Sequence, residues 1–253
     1  QLHTPAGAAQ VMFNHEVSVL ASLDHPNIIK LIDVERLVTG DVEHAFLEHG
    51  GCDLYDVIIQ GNADVPFERT CVQIIKGVSY LHSKAIYHLD IKLDNIMVDD
   101  HGIVRLVDFG LSVQGSEGVK LQSPRGSLAY LAPEVQTGQP FYGAPADSWA
   151  VGICFYTMFY HAFPFATPMF EDRPFLYVNE LQTQSGCPCT GTLNYLAELY
   201  DLPPRFPTPV MQLVMNALLC IEPNHRYVVS RFDNGKTLDD MLRSAVASPP
   251  PRP

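Results

Sequence analysis

The chain has 253 residues, 47% of them apolar and 17% charged, with 16 Lys and Arg against 28 Asp and Glu. That length and apolar content describe one large domain or two closely joined lobes and exclude a disordered chain. A net charge of −12 argues against a nucleic-acid binder. It serves solubility first, and a cationic partner such as a basic peptide second.

In chain order, residues 11–21 read as a helix with Val11, Val17, Leu20 and Ala21 on one side. The turn Asp24-His25-Pro26-Asn27 ends it, because Pro disfavours helix at the residue before it. Residues 28–34 and 43–48 read as two strands joined through Thr39-Gly40-Asp41. Gly50-Gly51 interrupts that pattern, and residues 54–59 suggest a short helix. Phe67, Cys71, Ile74, Ile75, Val78 and Leu81 recur at three- and four-residue steps and predict a helix over 67–83. A hairpin follows, with strands at 96–98 and 103–107 around Asp99-Asp100-His101-Gly102. From about residue 142 the chain is mainly helical, broken near 184–192 and at Pro203-Pro204 and Pro207. Residues 247–253 form a Pro-rich tail with no core to bury. Strands early and helices late predict an α+β protein, a small strand-bearing lobe followed by a large helical one.

Residues 150–170 contain no Asp, Glu, Lys or Arg and are long enough to cross a membrane. Gly152, His161, Pro164 and Pro168 interrupt them, however, and no basic flank follows. A helix buried on all sides, with no membrane contact, is the expectation. The six cysteines are Cys52, Cys71, Cys154, Cys187, Cys189 and Cys220. Cys187-Pro188-Cys189 lacks the second half of a zinc pattern, so unpaired thiols in a reducing intracellular compartment are expected. That compartment is the cytoplasm, with the nucleus left open.

Three groups bracket the hairpin: Asp90, Asn95 and Asp108. A tight hairpin brings the end of one strand beside the start of the other, so Asn95 and Asp108 should be neighbours. Hard oxygen ligands placed together suit Mg²⁺, which takes water and phosphate oxygens as its remaining ligands. Asp90 lies on the same loop, where a carboxylate can reach a hydroxyl proton.

With these residues in view, the loop from His88 to Asn95 resembles the catalytic loop of eukaryotic-type protein kinases. Asp108-Phe109-Gly110 resembles their metal-binding motif and Ala132-Pro133-Glu134 the close of their activation segment. Asp108 follows Asp90 by 18 residues and Glu134 follows Asp108 by 26. Asn14-His15-Glu16, His25-Pro26-Asn27, the run from Asp147 to Gly152, and Glu222-Pro223 with Arg226 extend the resemblance over most of the chain. The resemblance implies a two-lobe fold split into a partial small lobe (1–49), a large lobe (50–244) and the tail (245–253). It implies ATP and Mg²⁺ as cofactors and a protein substrate with a Ser or Thr acceptor.

By that resemblance Asp90 orients and deprotonates the substrate hydroxyl, Lys92 steadies the transferring phosphoryl group, and Asn95 and Asp108 hold Mg²⁺. Lys92 and Gly126-Ser127 follow the serine/threonine pattern, with Ser127 bonded to Asp90 and Lys92. Leu47 is the gatekeeper, and Glu48 and His49 form the adenine-binding hinge. Asp53 lies near the ribose, and Met97 and Leu54 pack beneath the adenine. Glu16 is the helix carboxylate that pairs with a strand lysine. Phe109, Leu20 and Leu31 form a packed apolar spine. His88 is a core histidine bonded to backbone, Glu134 and Arg226 make a structural ion pair, and Asp94 is either a solvated carboxylate or a reader of basic substrates.

Two departures stand out. No Gly-rich loop precedes Glu16 and no lysine precedes Lys30. This leads to the expectation of an N-terminally truncated kinase domain with an incomplete β lobe, weak or inactive as it stands. The alternative is a degenerate pseudokinase that scaffolds or regulates another protein. In addition, Leu89 stands where phosphate-switched family members carry Arg, so activity should not depend on phosphorylation of Ser123.

Overall fold

The computed structural model describes residues 6–60, 65–115, 120–122, 124–167, 172–184, 191–202 and 207–229. The Pro-rich tail, Ser123 and the Cys187-Pro188-Cys189 segment lie outside them. The order is helix α1 (Ala6–Leu20), strands β1 (Leu31–Arg36), β2 (Val42–Leu47) and β3 (Cys52–Asp53), then helices α2 (Leu54–Gln60) and α3 (Phe67–Ser83). Strands β4 (Ile86–Tyr87), β5 (Ile96–Val98), β6 (Val104–Leu106) and β7 (Val113–Gln114) follow. Helices α4 (Pro133–Gln136), α5 (Gly143–Tyr160), α6 (Arg173–Gln184), α7 (Thr192–Leu199) and α8 (Pro209–Leu218) complete the fold. It is the α+β arrangement expected, small antiparallel sheets followed by a helical body.

The expected helix over 67–83 forms with those limits, and its periodic face (Cys71, Ile74, Ile75, Val78, Leu81) is fully buried. The first helix begins earlier than its apolar pattern does. Ala6, Ala8 and Ala9 favour helix without needing a buried face. The first strand starts at Leu31, not at residue 28. Ile28 instead bridges to Leu106, which ties the small lobe to the hairpin. β1 and β2 pair antiparallel, β5 and β6 form the expected hairpin, and β4 pairs with β7.

β3, unforeseen, adds to the hairpin's free edge by pairing Cys52 with Val98 and Asp53 with Met97. Gly51 makes this crossing possible. Its φ is +95°, and a Cβ there would lie 2.0 Å from the Val98 carbonyl oxygen.

The uncharged stretch from residue 150 belongs mostly to α5, which is buried on all sides and ends at His161 in the left-handed region. No described helix is long and apolar enough to cross a membrane. Arg226 secures the base of the large lobe. Its guanidinium grips Glu134 at two points (2.6 and 3.0 Å), donates to the carbonyls of Cys220, Ile221 and Pro145, and lies 5.0 Å over the Trp149 ring. The expected ion pair is thus present with every side of the buried cation engaged.

Candidate active site

The loop between β4 and β5 is pinned from beneath by Asp147, the one charged side chain of α5. Its carboxylate accepts the backbone N–H of His88 (2.9 Å) and of Leu89 (2.8 Å), and His82 Nε2 lies 2.9 Å away. A carboxylate buried in an apolar helix must find such donors. His88 is fully buried. Its Nε2 donates to the Val107 carbonyl at 3.0 Å, and its ring leans on Phe109 with centroids 4.9 Å apart.

On this base Asp90 gathers four groups. Asp90 Oδ1 accepts the Ser127 N–H and hydroxyl, both at 2.9 Å. Asp90 Oδ2 accepts Asn95 Nδ2 at 3.1 Å and pairs with Lys92 Nζ at 3.0 Å. Lys92 Nζ also donates to Ser127 Oγ at 3.0 Å. Gly126, with φ +108°, lets Ser127 approach, since a Cβ at 126 would lie 2.5 Å from the Leu89 carbonyl oxygen. Asp90 is only 7% exposed. The result is a carboxylate fixed in one orientation beside one cation, suited to accept a proton from a hydroxyl.

Asn95 Nδ2 donates to both the carbonyl (3.0 Å) and carboxylate of Asp90, which leaves the amide oxygen as the end available to a cation. The Val107 N–H bonds to the Asn95 carbonyl at 3.0 Å, which brings the start of β5 beside the end of β6 and so beside Asp108. Asp108 is exposed, with φ +61°, and its Oδ1 accepts the Gly110 N–H at 3.3 Å. An amide oxygen and a carboxylate at the two ends of one hairpin suit Mg²⁺, which needs few protein ligands. Among the described residues no three His, Cys, Asp or Glu side chains converge, so Asn95 and Asp108 amount to a partial shell.

Glu16, from α1, accepts the Phe109 N–H at 3.2 Å. Burial pushes its carboxyl up, the Phe109 N–H counters this, and the negative charge of Asp108 adds to the rise. Phe109 and Leu20 are buried in one core, with Leu31 half-buried against it.

At the lobe junction, Leu47 and His49 are exposed. Glu48 is tied down instead. Its Oε1 accepts the Lys30 N–H at 2.8 Å and pairs with Arg105 Nε at 3.2 Å, while its own N–H donates to the Lys30 carbonyl. Arg105 reaches on to Asp99 at 2.8 Å. Asp53 and Met97 are partners across β3 and β5, both half-buried. Leu54, one residue on, is wholly buried, so it supports this floor from within the core.

Leu89 is buried, with φ +62°, and lines a cavity with Arg125, Leu131, Val135, Phe141 and Ala150. Beyond it, Leu121 and Phe141 exchange two backbone hydrogen bonds (2.7 and 3.0 Å).

A carboxylate–lysine–serine cluster at the seam of a small sheet and a helical body is an arrangement that suits phosphoryl transfer. The chain belongs to the protein kinase domain family, whose model matches residues 6–237. It is 37% identical over 172 residues to a carbon catabolite-derepressing protein kinase of Candida glabrata, covering 67% of this chain and 27% of that protein. It is 34% identical over 181 residues to CBL-interacting serine/threonine-protein kinase 13 of Arabidopsis thaliana, covering 68% and 34%. It is 37% identical over 165 residues to mouse death-associated protein kinase 2, covering 63% and 44%. The aligned region thus spans less than half the length of each of these relatives.

Sequence reasoning missed the anchoring of the loop by Asp147 and the tethering of Glu48 by Arg105. A signal existed for the first, a lone carboxylate in an otherwise uncharged helix. Nothing local marked the second, because Arg105 meets Glu48 only after the hairpin folds back.

Proposed function

We propose that this chain carries the catalytic machinery of a protein serine/threonine kinase, transferring the γ-phosphoryl group of ATP to a Ser or Thr hydroxyl of a protein. The observation that carries this is the Asp90 cluster, in which Lys92, Asn95 and Ser127 all converge on one buried carboxylate. The names of two relatives as kinases of the CBL-interacting and death-associated kinds support the same reading.

In this reading Asp90 accepts the substrate hydroxyl proton as that oxygen attacks phosphorus, and the bond from phosphorus to the ADP leaving oxygen breaks. Lys92, already between Asp90 and Ser127, donates to the transferring group. Asn95 and Asp108 hold Mg²⁺, which neutralises charge on the phosphates when bound. Leu47, Glu48 and His49 present backbone to the adenine, above Met97 and near Asp53, with the hinge held by the Glu48–Arg105 pair. Residues 1–49 form the small lobe and 50–244 the large one.

The acidic balance and the exposed carboxylate of Asp94 beside the site favour a substrate with basic residues. Cys52, Cys71 and Cys154 are unpaired thiols, and burial pushes Cys71 and Cys154 well up, which suits an intracellular, reducing compartment such as the cytoplasm. Leu89 offers no cation to a phosphate, so activity is independent of Ser123 phosphorylation. Ser123→Ala should leave transfer intact in the full-length protein. Loss in that variant, restored by Ser123→Asp, would contradict this.

The test of the reaction is γ-labelled ATP with Mg²⁺ and a basic peptide, in one version with a single Ser and in another with a single Tyr. Label should enter the Ser peptide alone and disappear with Asp108→Ala. Absence of transfer by folded full-length protein, or transfer to the Tyr peptide, would overturn the assignment.

A further inference from the structure

Phe109, Gly110, Leu111 and Ser112 form a tight turn closed by the Ser112 N–H donating to the Phe109 carbonyl at 3.0 Å. The Ser112 hydroxyl reinforces the closure, donating to that carbonyl at 2.7 Å. Consecutive residues of α1 hold both ends of this turn. Glu16 accepts the N–H of its first residue, Phe109, at 3.2 Å. His15 Nε2 lies 2.8 Å from the carbonyl oxygen of its last residue, Ser112, and 3.3 Å from that residue's hydroxyl.

The chemistry of the partner settles the tautomer. A carbonyl oxygen only accepts, so Nε2 carries the proton and donates. Ser112 is buried at 2% exposure, so without His15 its carbonyl would lose a donor that water cannot readily replace. The residue before His15 anchors the same helix on its other side. Asn14 Nδ2 donates to Asp41 at 2.9 Å, and Asn14 Oδ1 accepts the Val42 N–H at 2.7 Å. Three successive residues of α1 therefore join the small sheet to the turn that begins beside Asp108.

We propose that His15 is a positioning residue for phosphoryl transfer. Together with Glu16 it clamps the Phe109–Ser112 turn at both ends and so fixes Asp108 against Asn95. The contact spans 97 residues of chain, and only the folded protein brings the pair together. This inference rests on the kinase reading for its catalytic consequence and on the hydrogen bonds alone for the clamp.

The test uses His15→Phe, which keeps a ring and removes the donor, and His15→Gln, whose Nε2 can stand where the imidazole Nε2 stands. Both are made in the full-length protein. Loss of one such bond at the transition state lowers kcat roughly tenfold. H15F should show that fall with little change in the KM for peptide, and H15Q should recover most of it. In parallel, amide exchange at Phe109 and Ser112 should accelerate in H15F and not in H15Q, while the amides of α3 keep their protection.

Should H15F lose α3 protection as well, it has unfolded, and His15→Met, flexible and without a donor, takes its place. H15Q as impaired as the donor-free variant, or unchanged exchange at Phe109 and Ser112 in that variant, would overturn the proposal. A folded wild-type protein that transfers no phosphate would overturn the kinase reading, and the exchange measurement would then decide the clamp by itself.

Discussion

The Asp90 cluster and the lobe junction are built to different standards. Around Asp90, three side chains and a backbone N–H saturate one buried carboxylate, and Asp147 fixes the loop from below. At the junction, Leu47 and His49 are exposed, and the Glu48 side chain is held by the Lys30 N–H and Arg105 near the surface. The β1–β2 sheet above also leaves Ile32 and Phe46 exposed. A rigid centre thus stands on a large core, while the junction is hung from a few polar ties. Regions with sparse buried contacts open locally at lower cost than the core does. The junction should yield before the centre does.

Substitutions that break this contrast should rank accordingly. The largest effect belongs to the base of the rigid half. Arg226→Ala strands Glu134 and three carbonyls, and it should cost about 3–5 kcal/mol in denaturant unfolding. Within the centre, Ser127→Ala removes one bond to Asp90 and one from Lys92. Its kcat should fall roughly tenfold with the melting temperature nearly unchanged. In the weaker half, Arg105→Ala removes the cation shared by Glu48 and Asp99, leaving Glu48 the Lys30 N–H and Asp99 the N–H groups of His101 and Ile103. It should cost only about 1–2 kcal/mol, seen as faster amide exchange at Lys30 and Glu48 before any change in α3. Equal loss of protection in both halves would dissolve the distinction.

The smallest effect is one of pH. Partial burial pushes the Asp99 carboxyl up, but the Arg105 guanidinium and the N–H groups of Ile103 and His101 outweigh it and bring it to about 2. A carboxyl depressed in the folded state adds stability above its unfolded value of about 3.9, and this is lost as pH falls through about 2. The melting-temperature gap between wild type and Asp99→Asn should therefore be constant from pH 7 to 5 and close between pH 4 and 2.

Much of this was legible in the sequence where the pattern was local. The α3 face repeats every three or four residues, and its limits followed. The hairpin announced itself by its turn, and the order of Asp90, Asn95 and Asp108 around it pointed to the site. What stayed hidden was short or distant. β3, β4 and β7 have two residues each, too few for any alternation to register. The first helix outran its apolar stripe because alanine propensity, not burial, extends it. His15 gave no sign of its role, since Ser112 comes within reach only when α1 meets the turn after β6.

The most direct test of Asp90 as the proton acceptor is Asp90→Asn in the full-length protein, assayed for phosphate transfer to a Ser peptide and for Mg²⁺-ATP binding by thermal shift. Asparagine keeps the shape of the side chain and removes its basicity. Transfer should be lost by about 10²-fold or more while the nucleotide-induced shift persists. Transfer at the wild-type rate by Asp90→Asn would contradict the assignment of Asp90 as the proton acceptor.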